Sequence, residues 1–198
     1  MWEIEKRMHS EGYLRICGVD EAGRGPLAGP VYAAAVILPL GIEIPGLDDS
    51  KKLSPKKRDI LYDLIIEKAL YYSIGYATHK EIDEINILNA TYLAMNRAIA
   101  ALSIEPDISL IDGNRCSGIA CNSVPIVGGD GKSSSIAAAS ILAKVSRDRF
   151  MIIMADKYPE YAFEKHKGYG TKLHYERLHR FGPSEIHRTS FIKKVKIL

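Results

Sequence analysis

Short apolar runs alternate with longer amphipathic ones along this chain. Residues 14–19 form an apolar run that predicts a first strand, and residues 31–38 (VYAAAVIL) predict a second. The connection between them is short and rich in glycine and proline, which favours an antiparallel pair. Residues 1–11 are a polar lead-in with helical character, and residues 39–49 a loop. Ser54-Pro55 marks a helix start, a capping hydroxyl followed by proline at the first helical position. That helix runs to about residue 70 with Ile60, Leu64 and Ile65 on its apolar side. Residues 71–77 predict a third strand, 80–85 a short helix and 88–102 a longer one. Residues 107–111 and 124–127 predict a fourth and a fifth strand. A long helix with small Ala and Ser faces follows over 133–155, and Thr171 caps a last helix to about residue 181. Strands returning between helices define an α/β fold, a mixed five-stranded sheet flanked by helices, with a helical C-terminal part over about 156–198.

At 198 residues the chain supports a single domain. Its 27 basic and 24 acidic side chains leave a net charge of +3, which permits a nucleic-acid partner without requiring one. The basic residues gather in two groups, Lys51, Lys52, Lys56, Lys57 and Arg58, and Lys165, Lys167, Lys172, Arg177 and Arg180. Three cysteines without a C-x-x-C pair argue against a disulfide framework and a structural zinc site. Cys17 reads as a small core residue, and Cys116 and Cys121 share a loop and receive no role. The charged start lacks the apolar core of a signal peptide, and no apolar run would span a bilayer, so a cytoplasmic protein is expected.

The candidate chemistry begins where the first strand ends, at Asp20-Glu21, followed by Ala22-Gly23-Arg24-Gly25. Two carboxylates at the end of a buried strand are costly without a positive partner, and hard divalent cations take carboxylate oxygens. Two other readings compete: a solvated turn, and a dinucleotide fingerprint formed by Gly23, Gly25 and Ala28. The fingerprint must open a helix, and Pro26, Gly29 and Pro30 break one. The arrangement recurs, with Asp112-Gly113 ending the fourth strand and Asp130 following the fifth. If the first and fourth strands are parallel neighbours, their ends bring Asp20, Glu21, Asp112 and Asp130 together. Clustered acids without His or Cys favour Mg2+ or Mn2+ over zinc, and such ions suit phosphodiester hydrolysis. With the metal absent, the acids should repel and some of their pKa values rise. Asp148 lies roughly 24 Å along the long helix from its start and reads as a surface ion-pairing residue between Arg147 and Arg149. Gly131-Lys132-Ser133 lacks the earlier glycine of a P-loop. The segment 165–171 (KHKGYGT) carries three basic-capable groups, and its glycine-flanked Tyr169 suits either packing or stacking on a sugar or base.

Taken together, GVDEAGRGPLAGPV at 18–31, DDSKKLSPKKR at 48–58, LIDG at 110–113, the stretch 128–149, HKGYGT at 166–171 and IHRTSF at 186–191 resemble the prokaryotic ribonuclease HII (type 2 ribonuclease H) family. The type 3 family fits less well, since it usually carries Gly-Lys-Gly where this chain has Gly23-Arg24-Gly25. The resemblance implies a ribonuclease H-like sheet and endonucleolytic cleavage of RNA in RNA/DNA hybrids. It also implies cutting 5′ of single ribonucleotides embedded in duplex DNA by two-metal-ion hydrolysis, leaving 3′-hydroxyl and 5′-phosphate ends. Asp20, Glu21, Asp112 and Asp130 would then be the catalytic, metal-binding carboxylates, with Mn2+ or Mg2+ as cofactor. Gly23, Arg24 and Gly25 would read the ribose 2′-hydroxyl and Tyr169 would stack on the following deoxyribose, with Lys51 and Lys144 as phosphate contacts. The expected partners are RNA/DNA hybrid and ribonucleotide-containing duplex DNA, with no membrane and a monomeric protein. The alternatives are a hybrid nuclease without junction preference and a non-catalytic nucleic-acid-binding module. Clustered negative charge disfavours the module.

Overall fold

The computed structural model describes residues 1–193. Five strands, β1 (Ile16–Ala22), β2 (Val31–Ile37), β3 (Tyr71–Ala77), β4 (Ile108–Asp112) and β5 (Ser123–Ile126), form one sheet in the order β3-β2-β1-β4-β5. β2 runs antiparallel to both β1 and β3, while β1, β4 and β5 run parallel. The mixed five-stranded sheet read from the sequence is therefore present, and its first and fourth strands are parallel neighbours. β1 begins and ends later than the apolar run suggests. Leu14 is 72% exposed, and the β2 ladder carries β1 through Asp20 and Glu21 to the Ala22–Tyr32 pair. The acids thus lie inside the strand, on alternate faces.

That alternation sorts the core. Cys17 and Val19 on β1, with Ala33, Ala35 and Ile37 on β2, pack beneath α3 (His79–Ala100). Ala34 and Val36 on the opposite face pack beneath α2 (Pro55–Lys68) and α4 (Ser134–Lys157). α3 breaks at Asn86 (φ 67°), whose side-chain oxygen caps the second half through the N–H groups of Leu88 and Asn89. The two helices expected over 80–102 thus share one run with a kink. Ser54 caps α2 as expected, but Ile60 is 60% exposed, and Leu61 takes its place in the core beside Ile65.

α4 lies directly on the sheet. A Cβ at Gly18 would overlap the backbone of Ser135, so only glycine lets the helix approach β1 this closely. Ser133 caps α4, and the buried Glu5 of α1 (Glu3–Ser10) accepts from the Ser133 hydroxyl and the Ser135 N–H. A carboxylate at that end complements the helix dipole. The C-terminal part adds α5 (Phe163–His166), α6 (Lys172–Phe181) and α7 (Thr189–Ile192), of which the first and last are too short to leave a periodic signature. The basic tail expected over 190–198 lies outside the described residues from 194 onward. No helix among the described residues is long and apolar enough to cross a membrane.

Candidate active site

Asp20 arrives on the α4 face of β1, and Asp112 ends the neighbouring β4, one residue beyond the Val19–Ile111 pair. A short 3-10 turn, Gly129–Gly131, follows β5 and holds Asp130, while the Gly129 N–H donates to Asp112 Oδ1 at 2.7 Å. Three elements thus deliver Asp20, Asp112 and Asp130 to one place, with one carboxylate oxygen from each within 4.8 Å of the others. Glu21 lies beside them on the other face of β1, where Arg24 Nη1 donates to its Oε1 at 3.3 Å. The four acids share a neighbourhood, but only the three aspartates form the tight group.

The electrostatics follow from burial. Asp20 is 4% exposed, and its pKa lies well above the ordinary carboxylate range because burial and the charges of Glu21 and Asp112 all penalise ionisation. Glu21 is raised chiefly by burial, against the pull of Arg24. Asp112 is also raised, by burial first and then by Asp130. Lys51 Nζ reaches Asp130 Oδ2 at 2.9 Å, and that hydrogen bond raises the lysine pKa. Buried, crowded oxygen ligands with no His or Cys among them fit a hard divalent cation.

Asp20 and Glu21 open onto a cleft of about 250 Å³ whose wall includes Gly23, Arg24, Gly25, Lys51, Lys144 and Tyr169. All the site residues expected from the sequence border this cleft or the acidic group. Tyr169 is 40% exposed, with Lys144 Nζ 5.7 Å and the Arg147 guanidinium 5.6 Å from its ring centre. Lys144 also pairs with Asp148 at 2.8 Å, one helical turn along α4. Asp148 is therefore an ion-pairing residue, but its partner is Lys144. Arg147 is fully buried, and Arg149 pairs with Asp59 instead.

His166 departs from its expected place among the basic groups of 165–171. It is buried against Phe163 and His174, and burial lowers its pKa. Three further residues that support the cleft wall escape sequence reasoning. His174 and His187 lie beneath Tyr169, joined Nε2 to Nε2 at 3.0 Å. Because His187 Nδ1 accepts the Ser184 N–H, its proton sits on Nε2 and is donated to His174. His174 in turn donates from Nδ1 to the Tyr169 carbonyl at 2.9 Å. The third is Arg147, which donates to the carbonyls of Ala28, Pro30 and Lys167. Its signal was present in the helical spacing of Ser140, Lys144, Arg147 and Met151, which places them on one face of α4.

A family model described as Ribonuclease HII matches residues 17–194. The Ribonuclease HII of Caldicellulosiruptor bescii is 58% identical over 194 residues, 98% of this chain and 94% of that protein. That of Clostridioides difficile strain 630 is 54% identical over 192 residues, 97% of this chain and 75% of its own length. Among solved structures, ribonuclease H2 from Pyrococcus horikoshii superposes with a TM-score of 0.76 at 28% identity, covering 93% of this chain and 97% of that one. Bst-RNase HIII in complex with Mn2+ shares the fold at a TM-score of 0.67 and 18% identity, covering 92% of this chain and 68% of that one.

Proposed function

From a chain that belongs to the ribonuclease HII family, and is thereby a metal-dependent ribonuclease acting on RNA/DNA hybrids, we infer a finer activity: it cuts duplex DNA on the 5′ side of a single embedded ribonucleotide, leaving 3′-hydroxyl and 5′-phosphate ends. The observation that carries this reading is that Asp20, which meets Asp112 and Asp130 in the acidic group, also lines a cleft walled by Gly23–Gly25 and Tyr169. Asp20, Glu21, Asp112 and Asp130 would hold two Mg2+ or Mn2+ ions. The chemistry such ions supply when bound is polarisation of a phosphodiester and of an attacking water.

The protein's own groups do the positioning. Gly23, Arg24 and Gly25 lie on the cleft wall where backbone groups can meet a ribose 2′-hydroxyl, the backbone feature that separates RNA from DNA. The open face of Tyr169, backed by Lys144 and Arg147, suits the sugar on the 3′ side. Lys51 and Lys144 flank the aspartates as phosphate contacts. In this reading Lys51 exchanges its hydrogen bond with Asp130 for the substrate when cations fill the acidic group.

The test is cleavage of an end-labelled DNA duplex carrying one ribonucleotide, with Mg2+, with Mn2+ and with a chelator. One metal-dependent cut 5′ to the ribonucleotide is expected. Cutting of a long hybrid alone would leave a general hybrid nuclease, and cutting of neither would leave a binding module.

A further inference from the structure

The segment just before α7 carries a second fully buried arginine, Arg188, and no carboxylate among the described residues pairs with it. Its guanidinium is spent on backbone. Nη2 donates to the Gly23 carbonyl at 2.6 Å, Nη1 to the Arg24 carbonyl at 2.9 Å, and Nε to the Gly29 carbonyl at 2.9 Å. Burying an unpaired cation for three loop carbonyls is expensive, and a role in packing alone would be met by an apolar side chain.

The geometry of the peptide unit gives those contacts a consequence. In a trans peptide the carbonyl and the following N–H point in opposite directions. With the Gly23 and Arg24 carbonyls drawn to Arg188, the N–H groups of Arg24 and Gly25 are turned the other way. Arg188 lies underneath, while Gly23, Arg24 and Gly25 line the cleft with Asp20 and Tyr169. Neither N–H donates to an acceptor among the described residues. Gly23, at φ +98°, makes the turn possible, and a Cβ there would overlap the Arg147 side chain.

The frame around Arg188 is hydrogen-bonded on both sides. Its own N–H donates to the Leu27 carbonyl at 2.8 Å, and the Gly29 N–H returns to the Ile186 carbonyl at 2.9 Å. Asp83 accepts from the N–H groups of Thr189 and Ser190, and the Phe191 ring lies 5.1 Å from the guanidinium.

We propose that Arg188 is a positioning residue for ribose recognition: by holding the Gly23 and Arg24 carbonyls it aims two consecutive amide N–H groups into the cleft, as donors for the 2′-hydroxyl oxygen. This rests on the reading that the Gly23–Gly25 loop contacts the ribose. Arg188→Lys keeps the charge but offers one nitrogen in place of a fork spanning three carbonyls.

The experiment measures fluorescence anisotropy, with chelator present to prevent cleavage, for two DNA duplexes differing by one 2′-hydroxyl. The parent protein should bind the ribonucleotide duplex more tightly. Arg188→Lys should reduce that preference about tenfold, or to parity if the preference is smaller, while leaving affinity for the all-deoxy duplex unchanged. Equal weakening on both duplexes would assign Arg188 a structural role and overturn the proposal. An unchanged preference would overturn it while the loop reading stands. No preference in the parent would remove the loop reading, and the proposal with it. Should Arg188→Lys fail to fold, Phe191→Leu loosens the guanidinium from the half-buried side. A reduced preference in that variant supports the proposal, and an unchanged one overturns it.

Discussion

Asp20 is a buried carboxylate with two acidic neighbours and no ion-pair partner among the described residues. Its charge costs stability until a metal arrives. Asp20→Asn is therefore expected to raise the melting temperature of the metal-free protein by about 2–4 °C for each kcal/mol of relieved repulsion. The same change should lower cleavage by at least about 10³-fold, as expected when a group that anchors transition-state charge is lost, and leave duplex binding nearly intact. Calorimetry with chelator and a cleavage assay check both halves, and normal cleavage would remove Asp20 from the metal site. Tyr169 tests specificity at the same scale. Tyr169→Ala should weaken cleavage at a single ribonucleotide more than cleavage of a long hybrid, by about tenfold for a lost stacking contact. Equal losses would take the tyrosine out of discrimination.

At the scale of elements, the seat of α4 on β1 decides whether the site assembles. α4 carries Ser140 and Lys144 to the cleft, and β1 carries Asp20, so their separation sets the geometry. Gly18 is a point of close approach, where a Cβ would overlap the α4 backbone. Gly18→Ala should cost about 3 kcal/mol or more in urea unfolding, at the upper end of what overpacking costs. It should also weaken Mn2+ binding, since α4 must lift away from the strand holding Asp20. A variant as stable as the parent would show that the helix adjusts freely. Such a contact is invisible locally, because a glycine in a strand pattern announces a bend as readily as a close approach.

At the scale of the molecule, the C-terminal part is tied to the cleft loop through a neutral histidine pair. Burial holds both His174 and His187 near pKa 4, below the usual imidazole value, with His166 adding to this at His174 and His174 adding to it at His187. Between about pH 6.5 and 4 the unfolded chain therefore binds more protons than the folded one. Stability is complete above that window and falls as pH drops through it. Protonating the pair first costs about 3 kcal/mol. Urea unfolding from pH 7 to pH 4 should show this loss, and His187→Asn should flatten it. Raised carboxylate pKa values at the acidic group act in the opposite sense, so the comparison is best made in the Asp20→Asn protein.

The strands, the capping serine of α2, the glycine-rich turn and the four acids were legible in the sequence because each depends on neighbours a few residues away. An apolar run ending on Asp-Gly, or Ser before Pro, states its local chemistry without knowing the fold. The limits of that reading show at particular residues. Ile60 and Leu61 are equally apolar, and only the position of the sheet decides which is buried. Asp20 and Glu21 are adjacent in sequence, and only the β1–β2 register places them inside a strand and so on opposite faces. His166 reads as basic until burial lowers its pKa. Nothing local tells that Arg147 and Arg188 are buried, because carbonyl partners such as Ala28 and Gly23 lie more than a hundred residues away in the chain. Sequence by itself determined which chemical groups and local turns this protein owns. Tertiary structure decided which of them share a dry, crowded space, because desolvation and long-range pairing depend on what the rest of the chain packs around each group.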